Sequence, residues 1–190
     1  MKLVCGLVVL SVAMPALAES GGAGVYGLLD ADFELDLGAG GGATSGAAAL
    51  AAAEVRLRYL ASASLVLGWD GRPGEADGEH SGVLAVELRP LFLVLFFENQ
   101  FSGDDFGDLV LYSLGLTGGV QANADGLSLV LGLGTECPLW RDRSRGLYLR
   151  TEARGRFADS AWHGAGEGTT ELIGLVLLQW HAPIDLALVR

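Results

Sequence analysis

The chain has 190 residues, enough for one domain with a sizeable core, and a formal net charge of −11. Glycine is abundant at 29 residues and aromatics are sparse at 8%, while the mean hydropathy is +0.40. Past the N-terminal stretch no run of about 18 uncharged apolar residues exists, so a spanning helix is excluded. An acidic chain also lacks the basic surface that phosphate binding needs, which argues against nucleic acid as a partner.

The first residues read as a secretory leader. Lys2 is the positive end, Leu3 to Met14 the apolar run, and Ala16-Leu17-Ala18 a small-x-small cleavage site after Pro15. Residues 1–18 are therefore expected to be removed, leaving 19–190 as a single β-barrel domain. Cys5 leaves with the leader, so Cys137 has no intramolecular partner. Lys2 is the only lysine, so the remainder carries arginines against 23 carboxylates.

Val25 to Leu37 is the first strand candidate. Asp30, Asp32, Glu34 and Asp36 alternate with Ala31, Phe33, Leu35 and Leu37, a period of two with four acids on one face. Gly38 to Gly46, GAGGGATSG, reads as a turn region. Ala47 to Asp70 reads as one long segment, strand from Val55 onward. Glu54, Arg56 and Arg58 share its polar parity, and Val55, Leu57, Tyr59, Leu65, Leu67 and Trp69 the other. Asp70 to Ser81 reads as a charged loop.

Val83 to Phe97 alternates Glu87 and Arg89 against Leu84, Val86 and Leu88, until Pro90 breaks the ladder. Glu98 to Gly107 is an acidic loop. Asp108 to Gln121 reads as a strand with Val110, Tyr112, Leu114 and Leu116 on one face. The turn at Asp125-Gly126 then predicts a hairpin into Leu127 to Glu136. Cys137 to Gly146 reads as a loop. The next segment is the clearest: Tyr148, Arg150, Glu152, Arg154 and Arg156 lie on one parity, Leu149, Thr151, Ala153, Gly155 and Phe157 on the other. Glu171 to His181 is a further strand, and Ile184 to Arg190 a short last one.

These segments predict an all-β fold, an antiparallel up-and-down β-barrel of about eight strands, since closure removes the exposed edges of a sheet. The acid-rich and arginine-rich faces come from different strands, as a cross-linked interior requires. The predicted interior network is Asp30, Asp32, Glu34, Asp36, Glu54, Arg56, Arg58, Glu87, Arg89, Arg150, Glu152, Arg154 and Arg156. The outward faces are apolar, with Tyr59, Trp69, Tyr112 and Trp180 placed as an interfacial aromatic girdle.

FELDLGAG, LSLVLGLGTECPL and LYLRTEARGRF give the chain a pattern that resembles the small outer-membrane β-barrel proteins of Gram-negative bacteria, the OmpA-transmembrane and OmpX-like group. The resemblance spans Val25 to the C-terminus and implies an outer-membrane location. It departs at Leu188-Val189-Arg190, where such barrels close on Phe or Trp. The implied role is structural, adhesive or a narrow conduit, with membrane lipid as partner, a possible surface partner at the acidic loops, and no catalysis. An alternative inverts the faces: a soluble periplasmic or surface barrel, lipocalin-like, with Leu133 and Leu149 lining a cavity for an apolar ligand. A third reading, a lipid A-modifying enzyme, rests on Glu79, His80 and Ser81. No metal or cofactor is expected, because no HExxH or CxxC pattern occurs and the acidic loops lack regular ligand spacing.

Overall fold

The computed structural model describes residues 31–73, 80–92, 94, 105–124, 126–142, 145–158 and 170–184. Eight strands follow in order: β1 (Phe33–Thr44), β2 (Ala49–Tyr59), β3 (Ala63–Gly71), β4 (His80–Leu88), β5 (Gly115–Asn123), β6 (Gly126–Asp142), β7 (Arg145–Ala158) and β8 (Thr170–Ile184). Between β4 and β5 residues 90–92 and 94 are helical, and the helix α1 (Asp105–Tyr112) precedes β5. Each strand pairs antiparallel with its neighbours in sequence, and β8 pairs with β1, so the sheet is a closed up-and-down barrel.

The register fixes the barrel's shape. A path across the ladders from Phe33 passes Tyr59, Ala63, Leu88, Leu116, Leu133, Ala153 and Gly174. It re-enters β1 at Ala43 rather than at Phe33, a shear of about ten residues. With a rise of about 3.3 Å and a spacing of about 4.8 Å, eight strands at that shear tilt by about 40° around a radius of about 8 Å. Such an interior holds side chains and little else.

Several strand boundaries differ from the periodicity, each for a tertiary reason. Gly38 to Thr44 of the predicted turn region continues β1, and the chain turns only at Ser45-Gly46. A Cβ on Gly40 would stand 2.1 Å from the Val176 carbonyl oxygen, and one on Gly42 1.8 Å from that of Gly174. Glycine is needed there because β8 closes against β1. The segment 47–70 is two strands, folded at 60–62 by Leu60 and Ala61 in left-handed conformation (φ 44° and 54°). The predicted loop Cys137 to Gly146 is mostly strand: β6 runs to Asp142 across an irregularity at Pro138/Trp140, and β7 starts at Arg145. His80 and Ser81 open β4 rather than ending a loop, and Asp70 lies within β3. The predicted last strand beyond Ile184 lies outside the described residues.

The predicted strand 108–121 is half wrong. Its first part is α1, and the strand begins at Gly115. Asp108, Leu109, Tyr112 and Ser113 are buried while Leu111 is exposed, a helical spacing that a continuous apolar run conceals. Tyr112 packs edge-to-face on Phe92 at 5.8 Å. Ser113 Oγ accepts a hydrogen bond from the Glu136 amide at 2.7 Å, which pins the helix exit to β6.

Candidate functional site

The barrel interior is the site. Inward positions of β1, β2, β4 and β7 carry Glu34, Asp36, Glu54, Arg56, Arg58, Glu87, Arg150, Glu152 and Arg154, all buried. Arg89, one residue past β4, and Asp32, one before β1, are buried as well. Arg156 is partly open and pairs with Glu171 at 2.7 Å. Asp30 lies outside the described residues.

The middle of the lumen holds three guanidiniums and three carboxylates. Arg56 reaches Glu54 (Nε to Oε2, 2.8 Å), Glu87 (2.7 Å) and Glu152 (2.9 Å). Arg150 joins Glu152 at 2.7 Å and contacts Glu87. Arg154 joins Glu152 at 2.9 Å and Glu54 at 3.1 Å. Each carboxylate is shared by at least two arginines, so every buried charge is compensated where desolvation would otherwise be costly.

Towards the end that holds Phe33 and Ile184, the lattice continues through Glu136. Arg58 lies 2.6 Å from Asp36, 3.2 Å from Glu34 and 3.0 Å from Glu136. Arg89 lies 2.5 Å and Arg150 2.9 Å from Glu136. At the opposite end Asp70 lies 3.4 Å from Arg154, and Gln121 donates to Ser81 Oγ at 2.6 Å.

Sequence reasoning left Asp70, Glu136 and His181 out of the network. Glu136 and His181 carried the inward parity of their strands but stood singly among apolar or small residues. Asp70 stands in the sequence at the junction of the segment 47–70 and the charged loop that follows. His181 is 1% exposed, its ring stacks on Tyr148 at a centroid distance of 3.9 Å, and its Nδ1 contacts Glu34.

The outer wall is apolar. Tyr59, Trp69 and Trp180 are exposed on it, between 40% and 43%. Tyr112, expected beside them, is instead 1% exposed, because it sits on α1 and not on a strand. Phe33 pairs with Tyr59, and Trp140 stacks on Trp180, near one rim. Trp69 stacks on His80 near the other. Leu133 is 47% exposed on this wall, with Leu149 on the same parity of β7, so the lipocalin-like inversion of the faces is not what the chain adopts. His80 is exposed and Ser81 buried, on opposite faces of β4, while Glu79 lies outside the described residues.

Fold and interior together define a closed eight-stranded antiparallel barrel with an ion-paired lumen and an apolar exterior. No protein-family model and no curated protein matches the sequence. Among solved structures, the solution NMR structure of the de novo designed TMB2.3 is similar, with a TM-score of 0.48 and 10% identity over 82% of this chain and 98% of that one.

Proposed function

We propose that this chain is a small membrane-embedded β-barrel, placed in the outer membrane of a Gram-negative cell after loss of residues 1–18. The observation that carries the reading is the outer wall. Leu37, Val55, Leu57, Leu65, Leu67, Leu84, Val86, Leu116, Leu131, Leu133, Val176 and Leu178 are each 40–54% exposed. They encircle the barrel, and a soluble monomer rarely exposes more than a few hundred Å² of contiguous apolar surface. Lipid removes that cost.

Two further features support it. The shortest strands, β3, β4 and β5, have 9 residues, about the length a tilted strand needs to cross a bilayer. Aromatic rings gather near both rims, where they favour the membrane interface. The ion-paired lumen favours a structural or adhesive role over a wide pore, with the acidic loops as candidates for a surface partner. We assign it no catalysis.

Cell fractionation followed by gel migration with and without boiling tests the placement. A membrane barrel is recovered with the outer membrane and migrates differently when unheated. Recovery as a soluble periplasmic protein would overturn the reading. Planar-bilayer recording tests the closed lumen: a large steady conductance would overturn that part alone.

A further inference from the structure

We infer that Glu34, Asp36 and His181 form an inward-facing binding site for one divalent transition-metal ion, zinc by preference. Nothing in the proposed membrane role requires such a site. Glu34 and Asp36 are successive inward positions of β1, and His181 pairs with Asp36 across the β1–β8 seam. One donor atom from each of the three lies within 4.8 Å of the others. Tetrahedral zinc with ligands at about 2.0–2.2 Å needs donors about 3.4 Å apart, so side-chain rotation would have to close the widest pair by up to about 1.4 Å and open the Glu34–His181 contact.

Two observations point to a cation here. First, His181 is fully enclosed, yet neither ring nitrogen makes a hydrogen bond of sound geometry. Nδ1 faces Glu34 and lies 3.7 Å from Asp36, and Nε2 lies 4.0 Å from Glu136. A buried imidazole turned only towards carboxylates is the arrangement a metal would complete. Second, Gln179 occupies the next inward position of β8, is 0% exposed, and has both amide atoms without a hydrogen bond. Its side chain lies over Gly38, one inward step beyond Asp36 on β1, where a Cβ would stand 2.9 Å from its Cγ.

Arg58 now lies 2.6 Å from Asp36 and 3.2 Å from Glu34, and metal binding would turn it fully onto Glu136, 3.0 Å away. Glu34, 9% exposed at its side chain, is the side from which an ion would enter. Two carboxylates and one imidazole suit zinc better than calcium or magnesium, which take all-oxygen sets.

The test uses the untagged, folded chain titrated with Zn²⁺ by calorimetry and by competition with a chelating dye. It does not depend on membrane placement, since binding is read on the folded barrel in detergent or buffer. The expected result is one saturable equivalent, weakened at least tenfold by H181Q and by E34Q. X-ray absorption of the zinc-loaded wild type should show one imidazole among oxygen donors, which decides the matter if a variant fails to fold. No saturable equivalent, binding that survives both substitutions, or an all-oxygen shell would overturn the site.

Discussion

Arg56 on β2 donates to Glu152 on β7 at 2.9 Å, across the lumen and 96 residues apart in sequence. The two strands are not neighbours in the sheet, so the contact ties opposite walls together. Backbone ladders hold each strand to the next, while this lattice resists collapse or ovalisation of the whole cylinder. Its members are buried, so their mutual attraction is little screened by salt.

Removing Arg56 leaves Glu54, Glu87 and Glu152 each short of one partner. Breaking a buried pair from one side costs about 3–5 kcal/mol, far above the effect of a surface change. Arg56→Met is expected to lose stability of that order in reversible urea unfolding. Combined with Glu152→Gln it should lose less than the sum of the two single changes, because the second removes a stranded charge. Strict additivity would mean the two residues are not coupled.

Gly42 and Gly82 make a matched pair for the barrel seam. A Cβ at Gly42 collides with the β8 backbone, whereas one at Gly82 meets nothing within 4 Å. Gly42→Ala should therefore impair closure between β1 and β8, costing about 1–3 kcal/mol as overpacking does. Gly82→Ala should be neutral or slightly favourable, since alanine restricts the unfolded chain more. Unheated gel migration and unfolding midpoints compare the two directly.

The turn at 60–62 explains both a missed boundary and a prediction. Tyr59 and Ala63 pair across it, and both face outward. A three-residue loop keeps the alternation in phase, so Arg56, Arg58, Ser64 and Val66 continue one inward parity through the reversal. No Gly, Pro, Asn or Asp marks it. Leu60 and Ala61 instead adopt positive φ, at a cost of roughly 1–2 kcal/mol per residue. Ala61→Gly is expected to stabilise the barrel by about 1 kcal/mol, seen as a raised denaturant midpoint with unchanged slope. An unchanged or lowered midpoint would mean the turn is not strained.

What the sequence made legible was the parity of each strand, because a charge buried in a narrow lumen must recur every second residue. Arg150, Glu152 and Arg154 display that rule on one short segment. What it concealed depends on distant partners. The run Gly38 to Gly42 looks like a turn until β8 presses against it, and Tyr112 looks like a wall residue until Phe92 and α1 enclose it. His181 looked like a strand end because Glu34 and Asp36, its neighbours across the seam, lie at the other end of the chain.

The outer wall gives the sharpest solvent test. Leu84 is the central residue of β4 and 48% exposed, and Tyr59 ends β2 at 40%. In water, arginine at either position should change stability by no more than about 0.5 kcal/mol. In a bilayer the cost depends on depth: about 2–4 kcal/mol at the midplane and about 0–1 near the interface. Leu84→Arg should thus destabilise the barrel in phosphatidylcholine vesicles by several times more than Tyr59→Arg. The difference arises because the guanidinium at Leu84 has no short path to headgroups, whereas the one at Tyr59 does. Equal and negligible effects at both positions would place the wall in water, and the membrane reading would fall with them.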